Sequence, residues 1–260
     1  MADELVERLR RAGCVFAEDE AEVLREAAQG GRSLSSMVDE RVGGVPLEHV
    51  VGWVDFAGVR VPIDRGVFVP RPRSEFLVDI AAGLLRPGQR LLDLCCGSGA
   101  LAVAVGSRVP VDVLATDNDS RAVANARRAL APWGGEVYEG DLFEALPEYV
   151  RSAVDVVVVV APYVPRDAID LLPHEARDFE PRGALDGGGD GLDVLRRVAA
   201  QVDAWLRPGG WILAEVAEEQ APVLAAVFES RGMRTAVHER DGAIVLSARR
   251  DAGDAGDVTG

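Results

Sequence analysis

The sequence predicts an α/β protein: a doubly wound, mostly parallel sheet of seven strands, preceded by a small N-terminal helical domain and a β-hairpin linker. Three observations carry this reading. From about Ser74 onward, short apolar runs alternate with stretches of helical periodicity, the mark of repeated βαβ units. Val154 to Val160 is almost wholly β-branched, as a central strand buried on both faces requires. Leu91-Leu92-Asp93-Leu94-Cys95-Cys96-Gly97-Ser98-Gly99 runs from an apolar strand through an acid into a glycine-rich turn that opens a helix. That pattern marks the nucleoside-binding end of a Rossmann-like sheet.

The elements follow in order. Residues 3–12, 18–29 and 33–42 place apolar side chains at helical spacing, broken at Gly13 and at Gly30-Gly31, so residues 1–45 read as a separate helical domain that guides substrate. Pro46 to Gly52 leads into alternating Trp53-Val54-Asp55-Phe56 and Val59-Arg60-Val61, with Ala57-Gly58 as the turn of a hairpin. Pro70-Arg71-Pro72-Arg73 excludes a continuous helix or central strand, so residues 46–73 read as a hairpin and a rigid proline-rich joint. The domain at 74–250 then alternates: helix 74–85, strand 90–94, helix 98–107, strand 111–116, helix 120–130 and strands 135–138 and 154–160. Helix 191–206, strand 211–216 and helix 219–231 continue it, and strands 234–239 and 243–248 suit an antiparallel edge pair. Residues 251–260, rich in Gly and Asp without apolar periodicity, predict a disordered tail.

Composition narrows the function. A net charge of −15, with no lysine at all, argues against a general nucleic-acid binder, because phosphate neutralisation needs a cationic face. No apolar run approaches the roughly 20 residues of a membrane helix, and Met1-Ala2-Asp3-Glu4 is no signal peptide, so a cytoplasmic enzyme without a membrane partner is expected. It is expected to be a monomer or weak dimer. Three cysteines cannot build a disulfide framework, and Cys95 and Cys96 read as small residues of the turn. His49, His174 and His238 have no metal-ligand spacing, so no metal site is expected.

The acid-turn-acid spacing points to the cofactor. Twenty-four residues beyond Asp93, the next strand ends at Asp117, where a carboxylate can accept both hydroxyls of a ribose. The D-x-x-x-G-x-G pattern lacks the third glycine of a dinucleotide site, which disfavours a pyrophosphate reader. S-adenosylmethionine carries no phosphate, and its sulfonium and amino groups are cationic, so a turn bearing Asp93 suits it. Asp141, after Gly140 at a strand end, suits the adenine amino group, although a plain helix cap accounts for it too. Ala161-Pro162-Tyr163 leaves the C-terminal end of the valine strand, where open α/β sheets place their active sites.

Here the chain resembles the protein-(glutamine-N5) methyltransferases, the HemK/PrmC type that methylates the glutamine of the Gly-Gly-Gln loop in peptide-chain release factors. The resemblance spans about Pro46 to Leu246. It rests on Pro46-Leu47 with Gly52, Val69 to Glu75, Asp93 to Gly99, Asp117, Gly140 to Phe143, Ala161 to Pro165 and the long stretch Glu180 to Asp193. It implies cofactor binding by Phe68, Arg73, Asp93, Cys95, Cys96, Gly97, Ser98, Gly99, Asp117, Asn118, Asp141, Leu142 and Val160. It further implies catalysis at Val160, Ala161, Pro162 and Tyr163, and substrate contacts from Pro162, Tyr163, Glu180 and Arg182, with pinning of the long loop as the equal alternative for the last two. S-adenosylmethionine would be consumed and S-adenosylhomocysteine released. The partner would be a release factor or another glutamine-bearing protein.

Two departures stand out. The family's motif is Asn-Pro-Pro-Tyr, whereas this chain has Val160-Ala161-Pro162-Tyr163, and the helical region is shorter than the family's usual bundle. Valine offers no hydrogen-bond acceptor. Two other readings therefore stay open: a small-molecule N-methyltransferase, and a catalytically impaired relative that binds the cofactor.

Overall fold

The structure, a computed structural model, describes residues 3–252; most of the tail predicted at 251–260 lies outside the described residues. Four helices come first: α1 (Glu4–Arg11), α2 (Ala17–Ala28), α3 (Leu34–Val42) and α4 (Leu47–Val51). Asp3 and Ser33 cap α1 and α3 by accepting from backbone amides, worth about 1 kcal/mol each. Leu9, Leu24, Met37 and Val50 meet in a small core of their own. The fourth helix has too few residues for a readable period and was not expected. The hairpin follows as β1 (Trp53–Phe56) and β2 (Val59–Pro62), paired antiparallel.

The main domain runs α5 (Glu75–Leu84), β3 (Arg90–Leu94), α6 (Ala100–Arg108), β4 (Asp112–Asp117), α7 (Ser120–Leu130), β5 (Glu136–Glu139) and β6 (Val154–Val159). After these come α8 (His174–Phe179), α9 (Asp193–Gln201), β7 (Leu206–Val216), α10 (Ala221–Glu229), β8 (Arg234–Arg240) and β9 (Ala243–Arg249). Seven strands lie in the order β5-β4-β3-β6-β7-β9-β8, parallel from β5 to β7 and antiparallel at the β7-β9-β8 edge. The order reverses between β4 and β6 around β3, and open α/β sheets bind ligands outside such a switch point.

Apolar cores lie on both faces of the sheet. Leu92, Leu94, Val157, Val159 and Ile212 face one; Leu91, Val156, Val158 and Leu213 face the other. The second face also takes Val54, Phe56, Val61 and Ile63 of the hairpin, so the hairpin is built into the core of the sheet. Buried Asn125 on α7 bolts it there, accepting from Asp64 N at 2.9 Å and donating to the carbonyls of Pro62 at 2.9 Å and Ser98 at 3.1 Å.

Two expectations need correction. The helix expected at 191–206 stops at Gln201, and a 3-10 turn over Val202–Ala204 delivers Leu206 directly into β7. The strand then runs through Pro208 and two glycines. It can do so because Leu206 pairs with Val154, Gly209 N donates to Arg250 O at 3.1 Å and Arg250 N to Gly210 O at 3.0 Å. The valine strand, expected to reach Val160, ends at Val159. Among the described residues no helix is long and apolar enough to cross a membrane.

Candidate active site

The cavity forms where β3 and β4 end. Cys95 turns the chain at φ +56°, and Gly97, at φ +54°, donates its N–H to Asp117 Oδ2 at 2.9 Å. Asp117 Oδ1 accepts from Asp119 N, also at 2.9 Å, so one carboxylate ties the two turns together. Burial pushes the Asp117 carboxyl up, and those two amides partly offset the push. A Cβ on Gly97 would meet nothing within 4 Å, so the turn presents bare backbone to open space. Leu142, at φ +51°, lines the same cavity as Cys95. Two non-glycine residues held in the left-handed region cost about 1 kcal/mol or more each, and such strain gathers at binding sites.

The cavity measures about 720 Å³. Of the residues expected to bind cofactor, Phe68, Cys95, Gly97, Asp117, Asn118, Asp141, Leu142 and Val160 line it; Pro162 and Arg182 line the side toward the long loop. Asp93, Cys96, Ser98 and Gly99 lie outside that lining. Asp93 belongs to β3, is 1% exposed, and its Oδ2 has no partner among the described residues. Burial, with the negative charge of Asp117 adding to it, raises the Asp93 carboxyl to about 8, so in this state it is protonated at neutral pH. The structure thus places Asp93 at β3, one residue short of the turn and outside the cavity lining. Thr116 Oγ1 is likewise buried without a partner, and Thr116 lines the cavity. The orphaned Thr116 hydroxyl, the Asp117 carboxylate and a side-chain-free turn at Gly97, all in the cavity lining, fit a nucleoside bearing amino and hydroxyl groups.

Val160 is the first residue beyond β6 and forms part of the cavity wall. Among the described residues no protein donor reaches the carbonyls of Ala161 or Pro162. The next residues are wrapped by the stretch from Leu185 to Asp190. Val164 N donates to Leu185 O at 3.1 Å, Gly187 N to Val164 O at 2.9 Å, and Gln220 Nε2 bridges Tyr163 O and Asp190 O at 2.9 and 3.0 Å. Gly191, at φ +79°, lies so close that a Cβ there would collide with Tyr163 O. The unusual glycine-rich sequence is a collar around the Pro-Tyr segment.

Glu180 and Arg73 turn elsewhere. Glu180 is buried and accepts from Val69 N at 3.2 Å and Arg71 Nη2 at 2.5 Å, so it pins the loop to the chain before α5 and does not line the cavity. Arg73 also lies outside the lining, donating to Glu215 Oε1 at 3.1 Å with its guanidinium 5.4 Å from the Tyr163 ring centre. Arg182 stays exposed at the rim. Thr116, Arg197, Glu215 and Gln220 escaped the sequence reading. Arg197 pairs with Asp141 across the cavity edge, and nothing in α9 announces it. Glu215 did carry a signal, a lone acid inside the apolar strand Trp211 to Val216.

Comparison with known proteins agrees with this geometry. Residues 91–183 match the family described as "Methyltransferase domain". A release factor glutamine methyltransferase of Geobacter sulfurreducens is 33% identical over 199 residues, covering 75% of this chain and 69% of that protein. One from Bordetella pertussis is 35% identical over 246 residues, covering 93% and 88%. This chain belongs to the release factor glutamine methyltransferase family. It is a methyltransferase, with S-adenosylmethionine as methyl donor. Solved structures share the methyltransferase fold: a Pyrococcus furiosus methyltransferase matches at TM-score 0.58 with 17% identity, covering 75% of this chain and 90% of its own. A chain of the E. cuniculi Mtq2-Trm112 complex, a complex described as responsible for methylation of the eRF1 termination factor, matches at 0.51 with 22% identity, covering 72% and 99%.

Proposed function

We propose that this methyltransferase acts on the side-chain amide of a glutamine in a peptide-chain release factor. The observation that carries the reading is the end of β6, where Val160 and Pro162 line the cavity, the collar holds the segment, and no protein donor among the described residues takes the carbonyls of Ala161 or Pro162. An amide nitrogen is a poor nucleophile because its lone pair is delocalised into its own carbonyl. Two acceptors for its N–H groups favour the form in which that lone pair is localised, and fixed acceptors act without reorganisation. Tyr163 supplies a flat face for the planar amide, and positioning contributes much of the remainder. The cofactor supplies an electrophilic methyl on a cationic sulfur. Asp117, Thr116 and Asn118 would hold its nucleoside end, and Asp141, oriented by Arg197, the adenine edge.

Val160 favours a second reading, a small-molecule N-methyltransferase or an impaired relative, because its side chain offers no third acceptor. Transfer of labelled methyl to a release factor, to the same factor with its Gly-Gly-Gln glutamine replaced, and to small amides separates these readings. Label on the intact factor alone supports the proposal. Val160→Asn should raise that rate, by about 10²-fold for a regained preorganised acceptor. A folded, cofactor-saturated variant no faster than the parent argues for the second reading.

A further inference from the structure

Glu215 stands at the C-terminal end of β7, one step beyond Ala214, which pairs with Val159. It is therefore level with Val160, on the strand next to the one from which the Pro-Tyr segment departs. Its side chain is 3% exposed. A carboxylate in an otherwise apolar strand is costly unless its lone pairs are taken. Ser74 Oγ donates to Oε2 at 2.6 Å, while Arg73 Nε and the Tyr163 hydroxyl donate to Oε1 at 3.1 and 3.4 Å. Three donors thus converge from two segments, the entry to α5 and the turn after β6. Gln220 already holds the Tyr163 carbonyl, and Glu215 reaches the hydroxyl at the far end of the ring.

We propose that Glu215 is a positioning residue for methyl transfer, acting through Tyr163: it holds the ring, with the Arg73 guanidinium beside it, in the orientation that receives the substrate amide. This rests on the reading of Ala161 to Tyr163 as the transfer site. Misplacing a reacting group by about 1 Å can cost about 10²-fold in rate, whereas cofactor affinity depends on the cavity, which Glu215 does not line.

The test uses the full chain labelled with 3-fluorotyrosine, which has three tyrosines, and S-adenosylhomocysteine as the bound probe. Tyr163→Phe assigns the Tyr163 fluorine resonance. Glu215→Ala should shift and broaden that resonance, leave those of Tyr138 and Tyr149 in place, and lower kcat about 10- to 100-fold at matched folded fraction. The Kd for S-adenosylhomocysteine should stay within about twofold. Glu215→Gln, whose amide oxygen still accepts from Arg73 and Tyr163 while its NH2 donates to Ser74, should restore most of both signals. Tyr163→Phe removes only the hydroxyl that Glu215 holds; it should lower kcat alone and add little to Glu215→Ala, since the two act as one unit. An unmoved resonance overturns the proposal, as does a moved one with kcat unchanged, or a Tyr163→Phe enzyme as fast as the parent. If the parent itself methylates no release factor, the functional reading fails, while the fluorine resonance still decides whether Glu215 sets the ring.

Discussion

Asp93 shows how a single side chain can be legible in position and illegible in state. The glycine turn marks it in the sequence, but only the packing reveals a carboxyl buried in β3 with one oxygen unpartnered. Its raised value of about 8, against an ordinary 3.8, means that the folded protein holds a proton the unfolded chain has lost between those limits. Stability therefore falls as pH rises through that window. Thermal melts of the ligand-free protein should show Asp93→Asn flattening this fall, with its largest advantage over the parent near pH 8. An advantage independent of pH would mean that Asp93 is ionised throughout. His49 behaves oppositely. Burial lowers its value, its Nε2 lies 2.8 Å from Val67 O, and the unfolded chain takes up a proton first as pH drops below about 6.5. Part of the stability should thus be lost on acidification, and His49→Gln, which can still donate to Val67 O, should lessen that loss.

Strands and helices were largely readable because alternating burial and helical period are local properties of the chain. The collar was not. Its residues have no period, and the sequence showed an unusual string of glycines without showing that they wrap the chain at Tyr163. Gly191→Ala tests this element. With φ at +79° and Tyr163 O in the path of the new Cβ, the collar must shift, and methyl transfer should drop at least tenfold while cofactor affinity stays within a few-fold. Calorimetry with S-adenosylhomocysteine beside a turnover assay checks it; parallel loss of both would place the collar in cofactor binding instead. The misread end of the 191–206 helix has a different cause, since local periodicity says nothing of the pairing of Leu206 with Val154.

Across the whole molecule, the helical region meets the long loop at Arg41 and Gly44. Arg41, 8% exposed, donates to Glu20 of α2 and at 2.6 Å to Glu175 of α8, and Gly44 abuts His174 so closely that a Cβ would lie 2.9 Å from its ring. No period or motif connects residues so distant in sequence, which is why this joint went unread. We propose that the contact lets the helical region steer a macromolecular substrate. Arg41→Ala should cost about 3 kcal/mol of stability, the low end for breaking a buried pair, because half-exposed Glu175 can turn to water. At matched folded fraction it should raise the KM for a release factor while leaving cofactor affinity within a few-fold. Unchanged kinetics on both would remove steering from the account.

The hairpin's place in the sheet's core also tells where this chain can be recombined with its relatives. The proline-rich stretch at 70–72 resembles a seam, yet Phe56, Val61 and Ile63 cross it into the shared core, and Asn125 holds Pro62 and Asp64 from the far side. A chimaera spliced at that stretch would cut through a packed interior. One spliced at Gly52 exchanges α1 to α4 whole, with the core that Val50 shares with Leu9, Leu24 and Met37, and leaves the hairpin with the sheet that buries it, with Arg41 and Glu175 as the pair to carry across together.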